Sequence, residues 1–278
     1  MLQHRGVLLD IHTTSLKPNT MTNSPLSIPS DIRELLDSEA KRINHPNFID
    51  LDPVQFPRRF SSLPDIEITA LLCSAIAWGN RKMICRNCDR MLSLMGHDPY
   101  NYVMEQAYEE LPDQNIHRTF FASNLRHFLR GLHRIYSKHQ SLNDFAKHHH
   151  VGNSEFPAWK LVELINTELD SANSGNGDSR CLPLNLKTTA LKRVNMALRW
   201  LVRRDGIVDL GVWDAISPAQ LFIPLDVHVG NTSRNLGLIT RKANDRQTTI
   251  ELTETLRILR PEDPTIYDFA LFGIGMQL

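Results

Sequence analysis

The sequence has few cysteines and no long apolar run. Four cysteines in 278 residues are too few for a disulfide-stapled scaffold, so we expect a cytoplasmic protein. No apolar stretch reaches the roughly 18 to 20 residues that a membrane-spanning helix needs. Residues 1–26 lack the apolar core of a secretory signal and are predicted to be a disordered leader. The phosphate-binding motifs G-x-x-x-x-G-K-[ST] and G-x-G-x-x-G are absent, which excludes the usual nucleotide-dependent enzymes, and no cofactor is expected.

An excess of charge of either sign is also missing. The chain has 31 basic and 31 acidic residues and a formal net charge of +0. That balance argues against a protein that coats nucleic acid indiscriminately, although a local basic surface can still bind phosphate. One stretch departs from the balance, because residues 186–204 contain no Asp or Glu.

The alternation of apolar and polar residues that marks a strand nowhere persists, so we predict an all-α protein. Residues 27–278 are expected to form a single domain. A stretch rich in Ser, Asn and Gly at 171–185 is predicted to be a long loop between two helical halves. Two helices, 64–78 and 188–204, are predicted to be central. Other helices are predicted at 32–43, 81–95, 118–139, 142–149, 155–169, 246–259 and 264–274.

The helix at 188–204 has an apolar side and a basic side. The residues predicted to face the core recur at helical spacing and are Leu191, Val194, Leu198 and Leu201. The basic residues that project close together are Lys192, Arg199 and Arg203, with Arg193 and Arg204 beside them. One interpretation is that this basic side of the helix is simply exposed to solvent. Exposed helices, however, usually mix charges of both signs. The absence of acids therefore favours an anionic partner.

The segment LFIPLDVHVGN, residues 221–231, places a carboxylate after a buried-looking run. Asp226 has two interpretations: it caps the helix that follows, or it is the acid of an active site. The two roles are compatible. His228 is predicted to be structural. Cys85 and Cys88 form a C-x-x-C without a second pair at zinc-finger spacing, so no metal site is expected.

The stretch IPLDVHV resembles the aspartate motif of the helix-hairpin-helix DNA glycosylases, in which an apolar residue and the catalytic aspartate follow a proline. Lys192 stands 34 residues before Asp226, a spacing similar to that of the archaeal 8-oxoguanine glycosylases within that superfamily, which also includes endonuclease III. The stretches KRVNMALRWLVRRDGIVDLGVWD and YDFALFGIGM resemble an uncharacterised bacterial family that we associate with the superfamily. The resemblance covers about residues 64–275.

Two features of the superfamily are missing. The glycine-containing hairpin that grips a DNA phosphate has no counterpart in CLPLNLKTTAL, residues 181–191. The four-cysteine iron–sulfur pattern is absent as well, because the last cysteine is Cys181. The first absence leaves open whether the chain binds DNA, and the second excludes that cluster.

The resemblance implies a two-lobed helical fold with a cleft, and a glycosylase that removes an oxidised base such as 8-oxoguanine from duplex DNA. Lys192 is implied as the nucleophile that forms a Schiff base, with Lys187 as a rival, and Asp226 as its acid. The expected distance from the Lys192 amine to the Asp226 carboxylate is about 4 to 7 Å. The expected DNA contacts are Arg193, Arg199, Arg203, Asn80, Arg81 and Lys82. The expected walls of the base pocket are Trp78, Trp213, Phe269 and Phe272.

Two other functions remain open. A catalytically silent nucleic-acid-binding module with the same fold is favoured by the missing hairpin glycines. A helical interaction protein without a nucleic-acid role is favoured by the zero net charge. Salt-dependent binding to duplex DNA separates this last possibility from the other two.

Overall fold

A computed structural model describes residues 28–278, so the leader predicted at 1–26 lies outside the described residues. The described chain is mostly helical, which confirms the all-α prediction at that level. Two short antiparallel strands, β1 (Asn115–His117) and β2 (Phe120–Phe121), form a hairpin. The α-helices are α1 (Ser30–Ile43), α2 (Leu63–Ala75), α3 (Arg81–Leu94), α4 (Pro99–Met104), α5 (Ala122–Tyr136), α6 (Leu142–His148), α7 (Pro157–Ala172), α8 (Lys192–Val202), α9 (Val227–Asn235), α10 (Arg246–Leu259) and α11 (Tyr267–Met276).

The core lies around α2 and α8, which pack against each other. Residues 66–75 of α2 are all buried, which explains why this helix lacks a polar side. Pro64 lies in its first turn, and Ser62 caps it by accepting a hydrogen bond from the Asp65 N–H. The apolar residues predicted to face inward from α8 are all buried. The other main contacts join α1 to α11, α9 to α11 and α5 to α7.

Several predicted helix boundaries are wrong. The helix predicted at 118–139 begins at Ala122, because residues 115–121 form the hairpin and Arg118 turns it with a φ of 50°. The helix predicted at 64–78 ends at Ala75. The helix predicted at 188–204 begins at Lys192, because Leu191 has a left-handed φ of 52°. Its last residue is Val202.

A buried carboxylate links several of these elements. Glu67 of α2 is fully buried, and its two oxygens accept four hydrogen bonds. The donors are the backbone N–H groups of Leu142 and Asn143 at the start of α6, the Tyr136 hydroxyl and the Trp213 indole. Burial raises the pKa of Glu67 to about 7, and the four hydrogen bonds oppose that rise. The carboxylate therefore links α2 to α5, to α6 and to the segment that contains Trp213.

None of the helices in residues 28–278 combines the length and the apolar character that crossing a membrane requires.

Candidate active site

A cavity of about 760 Å³ opens beside the N-terminal ends of α8 and α9. Its lining comes from two parts of the chain, residues 48–84 and residues 192–276. The lining is more apolar than polar, with a small set of charged groups, as is usual for binding sites. The charged or titratable lining residues are Asp52, Arg81, Lys192, Arg193, Arg199, Asp226, His228 and Asp268.

Asp226 caps α9, which confirms the capping interpretation. Its Oδ1 accepts a hydrogen bond of 3.0 Å from the Val229 N–H. The residues before it, 221–225, are buried, so the backbone reaches the cavity from the core. The Asn244 side chain donates to the Asp226 carbonyl at 3.1 Å and fixes the backbone at this point. One hydrogen bond therefore holds the Asp226 carboxylate at the cavity wall, and the other holds its backbone carbonyl.

Lys192 is the first residue of α8, and its amine meets Asp226. The distance from Lys192 Nζ to Asp226 Oδ2 is 3.9 Å, at the short limit of the expected range. Met196 Sδ is the amine's other close neighbour, also at 3.9 Å. Oδ1 accepts the capping hydrogen bond and Oδ2 faces the amine, so the two contacts of Asp226 use different carboxylate oxygens. Lys187 is exposed and does not line the cavity, so the geometry favours Lys192 over its rival.

The sequence predicted that Lys192, Arg199 and Arg203 form one basic row on α8, and this prediction is wrong for the two arginines. Arg199 and Arg203 are 4% and 2% exposed and are ion-paired with acids from other segments. Arg199 contacts Asp209 and Asp268, and Arg203 contacts Asp205, Asp209 and Asp263. Burial disfavours the charged form of Arg199, but its two acids outweigh burial and raise its pKa. The helix lacks acids because its counter-charges come from elsewhere, so these two residues are not available to DNA phosphates.

Two carboxylates that the sequence interpretation missed also reach the cavity. Asp268 of α11 is buried and paired with Arg199, and burial raises its pKa to about 6, with Arg199 opposing and Asp226 adding to the rise. Asp52 is buried, and its Oδ1 accepts a hydrogen bond from the Val54 N–H at 3.1 Å. Burial raises the pKa of Asp52, while that N–H group and Arg81 lower it. In sequence, Asp52 looks like an ordinary turn cap and Asp268 lies in an apolar helix, so neither is distinctive.

Three of the four aromatic residues predicted for the pocket line the cavity: Trp78, Phe269 and Phe272. Trp213 does not, because it is 1% exposed and its indole donates to Glu67 at 2.7 Å. The prediction for Trp213 is therefore wrong. Phe272 forms part of a wall on which the Arg81 guanidinium rests, 5.2 Å from the ring centroid.

The residues predicted to contact DNA near the start of α3 divide into two groups. Asn80 caps α3 by accepting a hydrogen bond of 3.3 Å from the Met83 N–H, and it lines the cavity. Arg81 lines it too, with a loose contact of 3.9 Å to Asp52. Lys82 is exposed and lies outside the lining. The structure thus places Asn80 and Arg81 beside Lys192 and Asp226.

The described residues bring no three His, Cys, Asp or Glu side chains into a metal-binding group. Cys85 and Cys88 both lie on α3, where Cys88 is buried in the core. Burial raises the pKa of the Cys85 thiol to about 11, which disfavours the thiolate that binds metals.

The sequence model of one protein family, described as a protein of unknown function (DUF2400), matches residues 52–277. Comparisons with curated proteins and with solved structures found no match. The matched region contains both Lys192 and Asp226 and the greater part of the cavity lining. Because the match covers well over half of the chain, the protein belongs to the DUF2400 family.

Proposed function

We propose that the protein is a DNA repair glycosylase with AP-lyase activity, acting on an oxidised base such as 8-oxoguanine in duplex DNA. The strongest support is the position of the Lys192 amine, 3.9 Å from the Asp226 carboxylate at the wall of a largely apolar cavity. The pair fits the lysine and aspartate roles implied by the helix-hairpin-helix resemblance. We also propose that this cavity is the cleft between two lobes, because residues 48–84 and 192–276 both line it.

In the proposed reaction the Lys192 amine attacks C1′ of the damaged nucleotide. The bond from C1′ to the base breaks, and the base leaves with the bonding pair and takes up a proton. Asp226 stabilises the positive charge that develops on the sugar and accepts the proton released by the attacking nitrogen. The sugar ring then opens: the bond from C1′ to O4′ breaks, O4′ takes up a proton, and a Schiff base forms between Lys192 and C1′. Loss of a proton from C2′ then expels the 3′ phosphate and cleaves the strand.

The base must leave the duplex stack to reach Lys192. Trp78 and Phe272 offer aromatic surface inside the cavity, and Phe269, which is buried, also lines it. Asn80 stands at the first turn of α3 with its side chain exposed at the cavity, a place suited to filling the gap that a flipped base leaves.

Borohydride trapping tests the proposal. The unaltered protein is incubated with duplexes that carry 8-oxoguanine, other oxidised bases or an abasic site, and the Schiff base is reduced to a stable cross-link. A cross-link on any damaged duplex, and none on undamaged DNA, supports a lyase. Salt-dependent duplex binding without a cross-link or base release would instead indicate a silent binding module. The absence of duplex binding would leave a helical interaction protein.

Asp226→Asn should lower the rate of cross-link formation by about 100-fold. An asparagine oxygen can still accept from the Val229 N–H, so the cap on α9 is expected to survive while the charge facing Lys192 is lost. Asp245→Asn is the matched control, because Asp245 caps α10 in the same way, accepting from the Thr248 N–H at 2.9 Å, and does not line the cavity. Equal rates of cross-link formation for the two variants would mean that Asp226 serves only as a helix cap.

A further inference from the structure

Arg193 differs from Arg199 and Arg203 in having no acidic partner within the described residues. Arg199 and Arg203 are each held by at least two carboxylates. Arg193 makes no ion pair within the described chain and donates its hydrogen bond to the Ala75 carbonyl at the end of α2. Its guanidinium lies over the Trp78 ring, 5.1 Å from the centroid. A neutral carbonyl and an aromatic face do not cancel its charge.

Burial lowers the pKa of Arg193, and the Cys181 thiol is the one group that opposes it. A largely buried cation without a counter-charge carries an uncompensated desolvation cost. Such a cation at a cavity wall is suited to an anionic ligand, and a guanidinium matches the oxygens of a phosphate.

A second cavity, of about 690 Å³, lies on the other side of the same two residues. Trp78 and Arg193 line both cavities, so the two cavities adjoin at these residues. The second cavity is also lined by Arg180, whose guanidinium donates to the Thr119 carbonyl at 2.9 Å. Leu184 stands at its rim with 71% of its surface exposed. Asp178 is the acid in this lining and forms no ion pair with either arginine within the described residues.

We infer that Arg193 binds a phosphodiester of the DNA strand, and that the second cavity takes the nucleotide next to the one held at Lys192. The two cavities meet at one guanidinium, and Arg193 follows Lys192 directly, so one phosphate at Arg193 would join the two nucleotides. Arg180 adds positive charge farther along the same path, and Leu184 offers apolar surface to a base. This inference rests on the proposed function in taking DNA as the ligand, but not on the lysine chemistry.

The test uses the full chain and undamaged, fluorescently labelled DNA, single-stranded and duplex, in a salt series followed by anisotropy. Arg193→Met should weaken binding about 10-fold. It should also make the slope of log affinity against log salt shallower by about 1, the change expected when one phosphate contact is lost. Arg193→Lys should keep the slope. Arg33→Met is the control, because Arg33 is exposed on α1 and lines neither cavity, and it should leave affinity and slope unchanged.

The second cavity is tested separately. Leu184→Glu, at an exposed rim position, should weaken binding about 10-fold by placing a carboxylate on the strand's path. Ile258→Glu, on the exposed side of α10, adds the same charge elsewhere and should have little effect. Equal affinity for these two variants would overturn the placement of the neighbouring nucleotide.

Thermal unfolding separates a binding role from a structural one. Arg193→Met removes an uncompensated buried charge, so the variant should unfold at a temperature no lower than that of the unaltered chain. A clearly lower unfolding temperature, or unchanged DNA affinity and salt slope, would overturn the inference. Failure of borohydride trapping would reject the lyase while leaving the Arg193 result standing. Trapping without an Arg193 effect would reject this inference alone.

Discussion

Lys192→Gln should abolish the borohydride cross-link and lower strand cleavage by on the order of 1,000-fold or more. The reason is chemical: the glutamine amide has no basic lone pair to attack C1′, so a Schiff base cannot form. The fold should tolerate the change. The Lys192–Asp226 contact is a loose 3.9 Å pair with both side chains partly exposed, at 29% and 24%, and such pairs contribute roughly 0 to 1 kcal/mol.

Lys187→Gln is the matched control for this experiment, since it removes a lysine five residues earlier that is exposed and outside the cavity lining. Its cross-linking rate should equal that of the unaltered protein. Loss of the cross-link in Lys187→Gln, with Lys192→Gln still active, would move the nucleophile to the rival lysine. Cross-linking that survives in both variants would exclude these two lysines as the nucleophile.

The second large effect concerns stability rather than catalysis and arises at Glu67. Its pKa is raised from an ordinary value of 4.5 to about 7, mainly by burial. The folded chain therefore holds this proton more tightly than the unfolded chain does. The stabilising contribution is fully present below about pH 4.5 and is lost as the pH rises through about 7. At 1.36 kcal/mol per pKa unit, the loss over this window is about 3 kcal/mol.

Glu67→Gln removes the titration and should flatten this dependence. Urea unfolding across the same pH window gives the free energy of unfolding of both proteins, and the difference between them should shift by about 3 kcal/mol in the variant's favour as the pH rises. The amide also turns an N–H group towards the donors around Glu67, so the variant should be less stable at the acidic end. A difference that does not change with pH would mean that Glu67 keeps an ordinary pKa.

Glu109→Gln provides a control in which the pH dependence of stability should run in the opposite direction. Glu109 is paired with Arg130, and that hydrogen bond lowers its pKa. Its contribution is therefore present at neutral pH and lost as the pH falls, and it should be small because the pair is exposed.

Local patterns of the sequence determined much of the helical fold. The apolar residues of α8 occur at helical spacing, and the proline and acidic residues at the start of α2 mark a helix N-terminus, so both helices could be placed without a structure. The Asp226 cap was equally local, because a carboxylate at that position accepts from an N–H three residues later. Errors occurred at boundaries, where a left-handed residue such as Leu191 fixes the start of a helix without a glycine to mark it in the sequence.

Only the tertiary structure showed which charged side chains are neutralised by ion pairs. The sequence alone gave no means of distinguishing Arg193, which has no acidic partner in residues 28–278, from Arg199, whose acids lie 10 and 69 residues away in the chain. The sequence likewise predicted Trp213 as a pocket residue. In the structure its indole N–H donates to Glu67, which lies 146 residues earlier in the chain.

Helix spacing and caps depend on neighbours within a few residues, so the sequence by itself determined the helical character and the Asp226 cap. The pairing of Lys192 with Asp226, 34 residues apart, came as a hypothesis from the glycosylase resemblance. The burial and neutralisation of a charge depend on groups brought together by packing. Only the tertiary structure therefore decided that Arg199 and Arg203 are buried in ion pairs, while Arg193 makes no ion pair within the described residues.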